Sequence, residues 1–218
     1  LERAGAPVLF ERRSRLRGIT DALRKKPMSL LGAGLIGFFF LVALAAPLLA
    51  PPAPNTRDAY LIPQDGYSAD PAPPSRAHPL GTTEQQYDLL HGMVWGCRTA
   101  FKVAVSVVLV SLLIGVLVGG AAGYHGGWVD ETLMRLTDVV LAFPDIVLAV
   151  VVVAVLGPGL FKVMIAVTLV SWPSYARLLR GEVLSVKERE FVLAARALGA
   201  SDLRILLRHI LPNCMPPM

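Results

Sequence analysis

The sequence predicts an all-α, polytopic membrane protein, and three observations predict it. Of 218 residues, 54% are hydrophobic and only 17% are charged, with a mean hydropathy of +0.57. The apolar residues gather into uncharged runs of about 20, which as helices rise about 30 Å, the thickness of the hydrocarbon core. The net charge is +5, and the basic residues cluster beside the apolar runs. That distribution orients a chain in a membrane rather than along a nucleic acid. The long uncharged runs exclude a soluble domain.

Residues 1–27 form a basic segment, with Arg12, Arg13, Arg15, Arg17, Arg24, Lys25 and Lys26. It reads as a flexible tail on anionic lipid headgroups or as an elbow helix lying along the membrane. The first span is expected over 28–50. Ala43-Leu44-Ala45 resembles a signal cleavage site, but the run is long for a signal peptide and further spans follow, so an uncleaved anchor with a cytoplasmic basic end is expected. Residues 51–98, dense in proline and without sustained periodicity, read as an irregular extracytoplasmic loop.

The remainder, 99–218, contains three more spans. Phe101 to Tyr124 carries Ser111, Gly115, Gly119 and Gly123 at four-residue steps, a small-residue stripe that lets another helix approach closely. His125 to Asp130 makes a turn. Leu133 to Leu156 reads as one span whose face from Glu131 through Arg135, Asp138, Ala142 and Asp145 to Ala149 is charged or small. A carboxylate facing lipid is costly, so this face should meet protein or water. Arg135 and Asp138 read as a pair at headgroup level. Asp145, deeper and beside Pro144, reads either as lining the pathway or as paired inside the bundle. Gly157-Pro158-Gly159 turns the chain, and the fourth span runs from Phe161 to Leu179 with a kink expected at Trp172-Pro173. Arg177 and Arg180 return at the cytoplasmic end, and Lys162 is the exception to the charge bias. This topology places Cys97 and Cys214 on opposite sides, so a disulfide is not expected. The chain begins without Met and stops soon after a loop, and so reads as a fragment.

After the fourth span comes an amphipathic unit, Glu190 to Pro212. Phe191, Ala194, Ala195 and Leu198 recur at helical spacing, Gly199 sits where a left-handed C-terminal stop belongs, and Ser201 is placed to cap a second helix. Leu203, Leu206, Leu207 and Ile210 form the second helix's stripe, with Arg204, Arg208 and His209 off it, and Pro212 ends the pattern. A helical hairpin emerging between spans needs something outside the membrane to pack against.

This unit resembles the "EAA" loop of ABC-importer permease subunits, in which an EAA triplet is followed at fixed spacing by Gly and Ile-x-Leu-Pro. Here the matching residues are Leu193-Ala194-Ala195, Gly199 and His209-Ile210-Leu211-Pro212, with Leu193 in place of the acidic residue and His209 in place of the isoleucine. Glu190, three residues earlier, would supply a carboxylate near the same face. His78 to Thr82 (HPLGT), Met134 to Ile146 and Trp172 to Val192 are similar to the dipeptide, oligopeptide and nickel permease branch. The TEQQYD that follows HPLGT departs from that branch's acidic-Gly-Arg-Asp continuation.

The resemblance implies a type I permease bundle, here lacking its last spans, in a bacterial plasma membrane with its N-terminus cytoplasmic. It implies a homologous permease partner, two ABC ATPase subunits that bind the ATP, and an extracytoplasmic substrate-binding protein. Peptide is the implied substrate, with nickel or another small solute the alternative. The ATPase-docking loop would be residues 181–212, with Glu190, Ala194, Ala195, Arg196, Gly199, Asp202, Leu211 and Pro212 as its site residues; Asp145, read from the helical pattern and not from the resemblance, stays a candidate for the pathway. Arg196, Arg204 and Arg208 either pair with acidic rims on the ATPase or form a solvated face.

No GxxxxGK[ST] phosphate loop occurs, the four histidines and two cysteines lack paired metal spacing, and no nucleophile–base constellation stands out. No enzymatic activity, cofactor or metal is therefore expected of this chain. Two other classes stay open. Helix, glycine turn and helix with arginines also resembles a DNA-reading helix-turn-helix, so a membrane-tethered regulator is conceivable, although a supporting third helix is missing. A membrane-embedded enzyme would have only Asp145 to work with.

Overall fold

A computed structural model describes residues 27–52 and 62–214, and among them every regular element is helical. The basic segment before Pro27 lies outside the described residues. The described residues form two compact units, divided between Phe101 and Lys102.

In the first unit, α1 (Pro27–Leu49, 23 residues) is apolar around its whole circumference and exposes Leu35, Phe38, Leu41 and Leu44. Such a helix suits a lipid surround. Its end packs Ala46 and Ala50 against Val94 and Trp95 of α2 (Leu89–His125, 37 residues). The indole Nε1 of Trp95 donates to the Ala50 carbonyl at 2.9 Å, so the polar edge of a buried aromatic is satisfied at the same contact.

Helix α2 begins at Leu89, so the loop expected over 51–98 is shorter by its last ten residues. The cause is Asp88, whose Oδ1 accepts the His91 backbone N–H at 2.7 Å and so caps the helix at its third residue. The described part of the loop is irregular apart from isolated bridges between Gln64 and Tyr87 and between Thr82 and Asp88.

In the second unit, α2 continues to His125, and the turn at Gly126 and Gly127 (φ +67° and +54°) leads into α3 (Gly127–Leu141). The single span expected over 133–156 is broken. Helix α3 ends, residues 142–144 interrupt it, and α4 (Asp145–Leu156) leaves at 84°. Pro144, with ψ 128°, cannot continue the ladder, and the residue before it is pushed out of the helical region as well. The charged face read as continuous is therefore split. Arg135 pairs not with Asp138 but with Glu131, at 2.5 Å, while Asp138 accepts from Arg177, on the helix that follows α4, at 2.6 Å.

Helix α5 (Leu160–Val186, 27 residues) runs through Pro173 and on past the expected end at Leu179. Its buried face, Ala166, Val170, Pro173, Ala176, Leu179, Val183 and Val186, keeps the helical spacing throughout, which explains the extension. Residues 181–186, expected in the docking loop, belong to this helix. By length and apolar composition α1 and α2 qualify as membrane spans, and α3 with α4 would make a third. Helix α5 is long enough but carries Lys162, Arg177 and Arg180 and is less apolar, so the four expected spans are not all marked by composition.

The small-residue stripe of α2 is where α5 approaches. A Cβ added at Gly115 would lie 2.5 Å from Tyr175 Cβ, and one at Gly123 would lie 2.9 Å from Val183 Cβ. At Gly119 it would collide with the Ala176 carbonyl oxygen. Here glycine buys close helix contact rather than a special backbone angle.

Candidate docking site

The hairpin is built from α6 (Glu190–Ala197), a turn, and a second helix comprising α7 (Asp202–Arg204), a π-helical segment (Ile205–Ile210) and α8 (Leu211–Cys214). Helix α6 carries Glu190 in its first turn and Arg196 in its last, the order that the helix dipole favours. It ends in a Schellman turn. Gly199 takes φ +78° and donates to the Arg196 carbonyl at 3.0 Å, and Ala200 donates to the Ala195 carbonyl at 3.1 Å. Ala195 and Ala200 pack on the same core cluster, which adds the apolar contact typical of that motif. Ser201 stands at the N-cap with an extended backbone, but its side chain makes no capping bond.

The faces differ from those read from the sequence. Val192, Ile205 and Ile210 are wholly buried, on a cluster with Leu179, Val183 and Val186 of α5 and Tyr124 of α2. Phe191, Ala194 and Leu198, read as the apolar stripe of α6, instead face outward, and Leu198 is 88% exposed. Leu203 and Leu207 are exposed on the second helix. The π segment is the reason. Its i→i+5 bonding places Ile205 and Ile210 on one face, whereas α-helical spacing would have paired Leu203, Leu206, Leu207 and Ile210. One side of the hairpin is thus anchored to the helices, with Arg196 exposed beside Tyr124, and the other presents Phe191, Leu193, Leu198, Leu203 and Leu207 with Arg204 and Arg208.

Polar bonds tie the hairpin and the helix ends together. The Tyr124 hydroxyl donates to Asp202 Oδ1. Lys187 Nζ donates to the Gly123 carbonyl at 3.0 Å. Arg180 holds Asp130 through both carboxylate oxygens, at 2.5 and 2.6 Å. Of the residues predicted for the site, Glu190, Ala194, Arg196 and Pro212 are exposed, Ala195 and Leu211 are half-buried against the core, and Asp202 is held by Tyr124. Sequence reasoning missed Val192, Ile205, Tyr124 and Lys187; for the last two no local signal exists, since their partners are distant in the chain. Asp145 is not part of this cluster. It is exposed at the first position of α4, immediately after the break.

The HPLGT stretch builds a second polar constellation, in the first unit. His78 lies between two carboxylates, with Nδ1 2.7 Å from Asp88 Oδ2 and Nε2 2.9 Å from Asp65 Oδ2, an arrangement that favours the protonated ring, which can donate to both. Gly81, at φ +79°, lets the chain pass so close to Ala72 that a Cβ would lie 2.5 Å from its carbonyl oxygen. Thr82 accepts the Ala72 N–H at 2.9 Å and donates to Gln86 at 3.1 Å. The motif thus folds the loop onto the N-cap of α2.

The bonds to Asp88 and then Asp65 raise the His78 pKa above its ordinary 6.5. Burial pushes Asp88 up, but the His91 N–H and His78 outweigh it and hold the carboxyl below 3.8. The His78 contribution is complete below its unfolded value and is lost as pH rises through the raised one; that of Asp88 is lost only as pH falls through its lowered one. Trypsin cleavage after the exposed Arg76 reports on the loop. Cleavage of the wild type is expected to approach that of His78→Gln as pH rises from about 6 to about 9, while the variant is cleaved readily throughout. A wild-type to variant ratio that does not change with pH would refute the clasp.

Comparison with known proteins agrees with this geometry. Residues 99–218 match the family of binding-protein-dependent transport system inner membrane components, and residues 14–74 match the N-terminal transmembrane domain of oligopeptide transport permease C. A dipeptide transport system permease protein of Alkalihalophilus pseudofirmus is 37% identical over 196 residues, covering 90% of this chain and 62% of the relative. One from Haemophilus influenzae is 33% identical over 214 residues, covering 97% of this chain and 71% of the relative. A glutathione transport system permease protein of Pectobacterium atrosepticum is 41% identical over 159 residues, covering 71% and 53%. The chain spans between about half and about seven-tenths of the length of these relatives. The buried seams, the hairpin and the matches together place the chain in the family of inner membrane components of binding-protein-dependent transport systems, in its dipeptide and oligopeptide permease branch.

Proposed function

We propose that the protein is the permease subunit of an ABC importer that moves di- or oligopeptides across a bacterial plasma membrane, with its N-terminus in the cytoplasm. The observation that carries this reading is the hairpin, whose anchored side leaves an apolar, arginine-edged surface exposed outside the spans. That surface receives an ATPase subunit, and ATP is bound and hydrolysed there rather than by this chain. Glu190, Ala194, Ala195, Arg196, Gly199, Asp202, Leu211 and Pro212 shape or support the docking loop. A homologous permease subunit completes the channel, and an extracytoplasmic binding protein delivers substrate. Closure of the ATPase pair moves the hairpins, and the helices beneath them convert that movement into alternating access.

Asp145 is assigned to the pathway. Its support is the break before it, since interrupted helices place polar groups where substrates cross. The names of relatives favour peptides, glutathione among them, over nickel. A helix-turn-helix regulator is disfavoured because the hairpin's buried side is taken up by α5 and Tyr124.

The test is uptake of a radiolabelled dipeptide into proteoliposomes holding the full-length protein, its candidate partner permease and ATPase subunits, and the binding protein. ATP-dependent dipeptide uptake is expected. ATP-dependent uptake of nickel alone would overturn the substrate assignment, and no assembly with any ATPase would overturn the function.

A further inference from the structure

We propose that Tyr124 is the positioning residue that couples the second helix of the hairpin to the spans, through its hydrogen bond to Asp202. The inference rests on the importer reading and deepens it. The hairpin follows α5 through a short turn at residues 187–189, and it bends again at Gly199. A load applied to the exposed leucines would tend to rotate the hairpin about these two turns instead of moving a helix.

The apolar cluster of Val192, Ile205 and Ile210 on α5 opposes that rotation, and three further contacts converge on the last turn of α2. Val183 packs on Gly123 so closely that a Cβ there would meet it at 2.9 Å. Lys187 bonds the Gly123 carbonyl at 3.0 Å, which fixes the start of the turn. Both lie on the α5 side. Tyr124 alone of the three reaches beyond the Gly199 bend to the beginning of the second helix. Its body is buried in the cluster that holds Val192, Ile205 and Ile210, and its hydroxyl reaches out to the carboxylate, with the Arg196 side chain beside it. A phenol with two rotatable side-chain bonds, its ring held in that cluster, is a stiff strut. Asp202 stands in the first turn of its helix, where a carboxylate is favoured and its pull is passed along the axis.

The test uses the assembled transporter in proteoliposomes, with Tyr124→Phe, Asp202→Ala and the double variant. Phenylalanine keeps the buried ring, so the variant retains the packing and the ATPase subunits remain bound. The readout is ATP hydrolysed per labelled dipeptide taken up. That ratio is expected to rise about tenfold in Tyr124→Phe, the fold-change that a hydrogen bond to a charged acceptor is worth, and the double variant is expected to be no worse than either single one. A merely structural role would lower hydrolysis and uptake together and leave the ratio unchanged, which would overturn the proposal. Additive effects of the two substitutions would overturn it as well. If the wild type itself assembles with no ATPase, the importer reading fails first, and that result is distinct from any change between variants.

Discussion

Replacing Gly199 with arginine is expected to abolish capture of the ATPase subunits while the protein still reaches the membrane. Nothing lies within 4 Å of a Cβ built there, so space is not the obstacle. The obstacle is φ +78°, which a side chain adopts at a cost of about 1–3 kcal/mol. Relaxing that strain means giving up the two bonds that close α6, from Gly199 to Arg196 and from Ala200 to Ala195. The angle between α6 and the second helix would then change, and the exposed leucines on the two helices would no longer form one surface. Co-purification from full-length protein is expected to fall at least about tenfold, since about 1.4 kcal/mol suffices for that factor. Gly199→Asn, which enters the left-handed region more readily, is expected to retain part of the capture. Wild-type capture by the arginine variant would show that the hairpin angle does not matter.

Gly119→Leu is expected to destabilise the helix bundle more than any neighbouring change. The added Cβ would run into the Ala176 carbonyl oxygen and come within 3.1 Å of its Cα. Backbone cannot rotate away as a side chain can, so α2 and α5 would have to separate along the whole seam. Overpacking of a fitted core costs about 1–3 kcal/mol, and this seam offers no rotamer through which to recover it. Gly120 provides the comparison, because there a Cβ meets only Leu179 and Leu211 methyls, at 3.8 Å. Gly120→Ala is expected to be within about 0.5 kcal/mol of the wild type. Thermal unfolding of both variants in detergent, followed by size-exclusion chromatography, checks the contrast. Equal losses would mean that the seam is not packed as described.

Some of this was legible because local chemistry decides it. A run as uniform as 28–50 has no reason to be anything but a span, and α1 covers Pro27–Leu49. Gly199 announced its own conformation, because a glycine one residue past a helix has few other uses. The break at 142–144 is half legible: Pro144 stands in the run, but a proline can kink a helix or end it, and its surroundings decide which. The faces of the hairpin were not legible. Both helices have more apolar residues than one face can hold, and the choice of Val192 over Phe191 depends on where α5 runs. The π segment has no composition of its own, so Ile205 and Ile210 could not be paired in advance. Asp88 was hidden in a polar stretch where an N-cap looks like any loop residue, and with it the role of His78.

The measurement that bears most directly on the docking surface is photo-crosslinking in membranes from residue 198 of the full-length protein, expressed with its ATPase subunits. Leu198 is 88% exposed at the tip of the apolar face, and Ile146, 79% exposed on α4, serves as the comparison. An adduct with an ATPase subunit is predicted from position 198 and none from position 146. An ATPase adduct from 146 but not from 198 would contradict the account.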